Sequence, residues 1–218
     1  MKNYAEQQEL LLSQITNKCF KGQDFSGCDL RGIDLRAVDL SGINLIGADL
    51  QGANLCGAIL TRANLSGANL MHASLREANL YESCLREANL IDADLTQANL
   101  CGSSLLRAQI TDSNLWGASL CDADLSEADL SNAILIEASL IETKLVRANL
   151  TGAKLCGAIL LEANLNQANL TGADFTWANL TKANLSEANL WETNLIYAKL
   201  RDTIMPDGTI EQPQMAIY

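Results

Sequence analysis

Apolar residues return along this chain at every fifth position. In "LREANLYESCLREANLIDADL", residues 75–95, leucine stands at 75, 80, 85, 90 and 95, and small or polar residues fill most of the gaps. From Phe25 to Leu200 all 36 positions divisible by five are apolar; 33 are Leu, and Phe25, Ile110 and Phe175 complete the set. Neither regular element buries such a pattern. A helix advances about 100° per residue, so steps of five scatter the leucines around its axis. A strand alternates with period two, so steps of five send successive leucines to opposite faces. A backbone that turns a corner once in five residues points every leucine at one central axis, and this predicts an inward-facing solenoid.

The residues around each leucine agree with that prediction. Two positions earlier, 26 of the 36 residues are Ala, and most of the rest are small or β-branched, such as Val38, Ser83, Ser103 and Thr143. Thirteen of the 14 glycines fall two positions after a member of the register, as at Gly27, Gly47, Gly117 and Gly172. A corner most needs relaxed backbone there. No insertion or deletion breaks the run.

Stretches such as "ANLSGANL" (63–70) and "ANLTKANLSEANL" (178–190) resemble the pentapeptide-repeat family, A(D/N)LXX, and the match covers about 185 of the 218 residues. The resemblance implies an all-β chain, a right-handed quadrilateral β-helix with four pentapeptides in each coil of 20 residues. Thirty-six pentapeptides then give about nine coils, and strands stacked about 4.8 Å apart make a rod about 43 Å long. Each coil would contact only its neighbours, and both ends would be open sheet edges needing cover. Residues 1–19 are expected to form a short N-terminal helical cap: Asn3 is spaced to cap it with Glu6, and Tyr4, Leu11 and Ile15 share one face. The repeat proper spans 20–205. Residues 206–218 are expected to be a C-terminal cap or tail, opened by the turn signal Pro206-Asp207-Gly208.

Little catalytic chemistry is visible in this frame. The one histidine, His72, lies at an outward position with Asp92 above it and Asp49 or Gly52 below on adjacent coils, and no adjacent serine stands out from the repeat. Cys101 and Cys121 stack on adjacent coils. They are expected to stay free thiols, because in-register side chains hold their Cβ atoms farther apart than the disulfide mean of about 3.8 Å. Two thiols without a histidine make a poor zinc site. The expectation is therefore no enzyme, no catalytic residue, no metal and no cofactor, the interior being filled by Leu and Ala. Seven cysteines without CxxC spacing suit a reducing compartment. No apolar run approaches the roughly 18 residues of a membrane span. A cytoplasmic location and no membrane partner follow as expectations.

Charge and exposed apolar residues bear on partners. Net charge is −11, from 26 acidic and 15 basic residues, which argues against direct nucleic-acid binding. Residues 20 apart share a column, so each face can be named by its first central residue. The Leu30 face carries Asp29, Asp49, Asp92, Asp112, Asp129 and Glu192 against Arg31 alone, a net of −5; the Phe25 face is −1 and the Leu35 and Leu40 faces are −2 each. Part of the family that the chain resembles, the gyrase-protecting proteins, is thought to imitate duplex DNA by shape and negative charge. About 25 charges would line 43 Å of duplex, whereas the coils here sum to −10, from 22 acidic and 12 basic residues.

The second surface feature is apolar. Tyr81, Cys101, Cys121, Ile141 and Leu161 form one outward column on the Leu40 face. Trp116, Ile136, Cys156 and Ile196 lie in the equivalent column of the Leu35 face, Ile134 and Ile159 replace the usual Asp or Asn, and Trp177 and Tyr197 sit two positions past their leucines. Apolar residues gathered in a contiguous patch usually mark an interaction surface; the alternative is that these β-branched and aromatic residues stabilise the strands by stacking. The chain is thus expected to be a non-enzymatic interaction or scaffold module that binds another protein, or itself as a homodimer. Its candidate contacts are Tyr81, Trp116, Ile136, Ile141, Ile159, Leu161, Trp177 and Tyr197. The alternative is a DNA-mimicking modulator of DNA gyrase acting through Asp29, Asp49, Asp92, Asp112, Asp129 and Glu192.

Overall fold

A computed structural model describes residues 20–211. The helical cap expected over 1–19 and the end of the tail, 212–218, lie outside the described residues. Each five-residue unit supplies one bridging residue and a two-residue turn. Thirty-three parallel bridges, every one between residues 20 apart, run from Asp24–Asn44 to Asn184–Ile204. The chain is a β-helix that returns to the same column after four five-residue segments.

The unit around Leu50 shows why the repeat takes this path. Leu50 N–H donates to Asn69 O (2.7 Å) and Gly52 N–H to Met71 O (2.8 Å), both on the next coil. Asp49 N–H reaches back to Cys28 O on the previous coil (2.9 Å), and Ala53 N–H closes the corner on Leu50 O (2.9 Å). The remaining donor, Gln51 N–H, is met by the side-chain Oδ1 of Asp49 (3.2 Å). All five donors of the unit are satisfied, as a buried or turning backbone requires. The Asp or Asn before each leucine therefore caps the one N–H that the corner leaves over.

The corner itself demands positive φ two residues past the leucine, the mark of a type II turn. Gly52 adopts +64°, and 24 non-glycine residues do the same, among them Glu127 (+59°) and Trp177 (+62°). What offsets that cost is burial. The central residues from Leu40 to Leu185 are at most 1% exposed, and the alanines two before them fill the space between. Each leucine withdrawn from water contributes about 1.5–3 kcal/mol.

Polar residues that replace the inner alanine use carbonyls that already face inward. Ser113 Oγ shares its one proton between Leu90 O and Ile110 O, both at 2.8 Å, and Thr143 Oγ1 donates to Leu120 O at 2.7 Å. Ser83 Oγ is buried and meets no partner among the described residues.

At the far end, Pro206–Gly208 makes the turn that the sequence signals. The chain folds back antiparallel, Ile204 bridging Ile210, with Glu211 N–H on Thr203 O and Asp202 N–H on Glu211 O, both 2.9 Å. This hairpin covers the edge of one face only. Leu190, Leu195 and Leu200, on the other three, are half-buried, and their N–H groups meet no backbone acceptor among the described residues.

The inner alanine position yields a paired prediction. Ser83→Ala removes a buried hydroxyl without a partner and should raise stability by about 1 kcal/mol; Ser113→Ala removes a satisfied hydroxyl and should lower it by about the same. Urea unfolding midpoints check this, and shifts of the same sign for both variants would contradict it.

Candidate functional site

The Leu35 and Leu40 faces are consecutive around the coil and meet at the corner column Gly117, Glu137 and Gly157. This brings Trp116, Ile136, Ile141, Ile159 and Leu161 onto adjoining columns. Stacking between coils half-buries Ile136, Ile141 and Leu161, so these side chains serve the sheet as well as the surface. Trp116 and Ile159 are more open, and Tyr81 stands apart, in the Leu40-face column but before Cys101 and Cys121. Trp177 and Tyr197 sit on successive corners of the Leu35 face and stack, with ring centroids 4.4 Å apart and planes at 20°. They are 65% and 67% exposed, well beyond any other of the eight candidates.

Trp191 (69% exposed) and Ile196 (58%) extend this aromatic surface around the last coil. Sequence reasoning noted Ile196 but passed over Trp191. The available signal was position: Trp191 stands on the last coil of its face, and no later bridge covers Asn189 among the described residues.

The six acids of the Leu30 face divide between two columns, and several are engaged. Asp29 is held by Arg31 through Nε (2.8 Å) and Nη2 (2.6 Å), and the same Nε lies 3.6 Å from Asp49. Those hydrogen bonds lower the Asp29 carboxyl to about 2. Asp49 accepts from Asn69 Nδ2 (2.9 Å), and Asp129 accepts from Asn149 Nδ2, Ser131 N–H and the Ser131 hydroxyl. Asp92 lies 3.8 Å from His72 Nδ1. Asp112 and Glu192 have no side-chain partner among the described residues. The face thus presents fewer free carboxylates than its formal count.

Cys101 and Cys121 are free thiols, as are Cys56, Cys84 and Cys156. Burial pushes the Cys101 thiol above its ordinary value, which disfavours the thiolate that disulfide exchange requires. His72 makes no side-chain hydrogen bond to a nucleophile among the described residues. No group of three or more His, Cys, Asp or Glu side chains there is placed to hold a metal ion. No helix among them is long and apolar enough to cross a membrane.

The family model for pentapeptide repeats matches eight copies, in overlapping segments that together span residues 24–207. The chain is a member of the pentapeptide-repeat family. Among solved members it is similar to HetL, a pentapeptide repeat protein involved in heterocyst differentiation regulation from the cyanobacterium Nostoc sp. strain PCC 7120. Identity is 34%, 92% of this chain and 98% of HetL are covered, and the TM-score is 0.51. It is also similar to full-length QnrB1, a plasmid-mediated fluoroquinolone resistance protein, at 21% identity over 82% of this chain and 94% of QnrB1, TM-score 0.48. Rfr23, a pentapeptide repeat protein from the cyanobacterium Cyanothece 51142, matches at 25% identity over 91% and 99%, TM-score 0.15. No curated protein matches the chain significantly.

The electrostatics of this repeat's acidic face are testable by titration. Asp29 is depressed in the folded state relative to an unfolded carboxylate near 3.9. Its pairing therefore stabilises the fold above pH about 4, and that contribution fades as pH falls toward 2. In Arg31→Met, carboxyl-carbon NMR should show Asp29 titrating near the ordinary aspartate value. A titration unchanged from wild type would mean that Arg31 does not hold it.

Proposed function

We propose that this pentapeptide-repeat chain is a non-enzymatic, regulatory protein-binding module whose contact surface lies on the Leu35 and Leu40 faces. The observation that carries the reading is the stacked Trp177–Tyr197 pair, two-thirds exposed, next to an apolar run through Trp116, Ile136, Ile141, Ile159 and Leu161. Trp and Tyr combine large contact area with few rotamers, and they are the side chains on which protein interfaces most often depend. HetL takes part in regulating heterocyst differentiation, and 34% identity over nearly the full length of both chains supports a regulatory contact here. The partner is another protein or a second copy of the chain, met in the cytoplasm. The scaffold in this reading is a right-handed quadrilateral β-helix of about nine coils over 20–205, with a helical cap over 1–19 and a tail over 206–218. The 20-residue bridge register supports four sides per coil.

The second reading is a charge-based DNA mimic acting on gyrase. It draws on the net charge of −5 on the Leu30 face and on Asp112 and Glu192, which have no side-chain partner among the described residues. Engagement of Asp29, Asp49 and Asp129 within the face supports it less than the formal count does.

Two experiments separate these readings. Light scattering and affinity capture should show that a Trp177→Ser/Tyr197→Ser variant, folded by circular dichroism, loses at least about tenfold of its association with itself or its captured partner, the size expected of an interface anchor. Undiminished association would remove those faces from the interface. Gyrase supercoiling should be unchanged by a large excess of the protein. Inhibition at equimolar dose that disappears in Asp92→Asn/Asp112→Asn would establish the mimic instead.

A further inference from the structure

Three departures from the repeat's own rules coincide on one part of the Leu40 face. The first is electrostatic. At the corner position two past each leucine, stacked charges on the Phe25 face alternate in sign: Glu127 binds Arg107 (2.7 Å) and also Arg147. Earlier on the Leu40 face, Arg62 meets Glu82 at 2.6 Å. Farther along the same column, Asp122, Glu142 and Glu162 follow one another at 20-residue intervals, so like charge faces like charge, which destabilises a sheet. Lys182 satisfies Glu162 (2.9 Å), while Asp122 and Glu142 have no side-chain partner among the described residues.

The second departure is apolar. Beside these acids lie Ile141 and Leu161, and Ile159 takes the place of the usual Asn or Asp with 40% of its surface open. Glu137, also without a side-chain partner among the described residues, borders the strip at the opposite corner. An apolar strip thus runs between carboxylates on both sides.

The third departure is in the backbone. The N–H groups of Cys121, Ile141 and Leu161 lack the side-chain cap described for Leu50, because Ser119, Ser139 and Ile159 precede their leucines and none of these side chains accepts from them. On the same two faces, Trp116 and Thr181 keep theirs, from Asn114 and Asn179, both at 3.1 Å. The same N–H also goes uncapped elsewhere among the described residues, as at Leu106 after Ser104 and Val146 after Lys144; on this strip the missing caps meet unanswered charge and open apolar surface, and breaches of local rules are expected at functional positions.

We propose that this strip docks a basic amphipathic segment of a partner protein, with its apolar side on Ile141, Ile159 and Leu161 and its Lys or Arg side chains on Asp122, Glu142 and Glu137. Charge complementarity sets the occupant: an apolar strip between unpaired carboxylates favours a cationic amphipath and repels an acidic one, including a second copy of this chain at −11. The proposal rests on the protein-binding role given to these faces and specifies the partner's chemistry.

The probe is a fluorescein-labelled helical peptide of Leu and Lys in amphipathic order, titrated by anisotropy at low and high salt. Wild type should bind it, and binding should weaken as salt rises. Glu142→Lys should weaken binding about tenfold, as loss of a charged contact does, and Ile141→Ser should weaken it too. Asp112→Lys, the same charge change on the Leu30 face, should leave it nearly unaltered. Lys182 already occupies a corner of the same kind at φ +60°, so lysine fits the backbone there, and thermal melts check folding. Absence of binding to wild type would overturn the proposal, as would equal losses from Glu142→Lys and Asp112→Lys. A Gly/Lys peptide of equal charge that binds as tightly would overturn it too, since attraction would then be to charge alone. If the peptide result fails while Trp177 and Tyr197 still govern association, the partner's chemistry is wrong and the protein-binding role stands.

Discussion

The corner two residues past each leucine is the constraint from which the rest of the structure follows. An L-residue in left-handed backbone costs about 1–2 kcal/mol, and 24 non-glycine residues here accept it. One leucine driven to the axis contributes about 1.5–3 kcal/mol, enough to offset the cost of its corner. This explains why the fifth position is so strictly apolar while the corner residue ranges from Gly to Trp. It also explains the absence of insertions: one extra residue would move every later leucine off the axis and every later corner off its turn.

Fixing the register fixes the surface. Residues 20 apart stand one strand spacing from each other, about 4.8 Å, so every outward column is a set of enforced neighbours. Complementary columns answer each other, as in Arg107–Glu127–Arg147 and in the amide ladder in which Asn169 Nδ2 donates to Asn149 Oδ1 at 3.4 Å and Asn189 Nδ2 to Asn169 Oδ1 at 3.3 Å. A surface ion pair adds little stability alone. In a stacked column its larger effect is to decide which residues can follow which, and an unanswered column then stands out against that background.

Much of this was legible in the sequence because the repeat is a direct statement of geometry. The period of five gave the axial leucines, the glycines marked the corners, and Pro206-Asp207-Gly208 marked the terminal turn. The role of the Asp or Asn before each leucine was not legible from periodicity, since only the hydrogen-bond accounting shows which N–H a corner leaves over. Exposure was legible in direction and not in degree. Ile136, Ile141 and Leu161 do point outward, yet their coil neighbours half-cover them, while Trp177 and Tyr197 stand at corners, which are exposed along most of the coil, and Trp191 lies on the last coil of its face. The acidic face was legible as a formal sum. How Arg31 grips Asp29 and how amides occupy Asp49 and Asp129 depended on side-chain placement.

A repeat of this regularity encodes shape, so its function has to be sought where regularity lapses at a cost. A leucine, an alanine or a capping asparagine says only that the coil continues. An isoleucine in place of the cap gives up a hydrogen bond, and stacked carboxylates give up a complementary neighbour; neither helps the coil stack. Ile134, Ile159 and the Asp122–Glu142–Glu162 column make such concessions within two adjoining faces, and the bare Trp177–Tyr197 stack lies farther along the same side. Stacking energetics alone would favour Asn at the first two positions and alternating charge in the column. Positions on these two faces are thus given to something other than coil stacking, which is what the proposed docking strip requires.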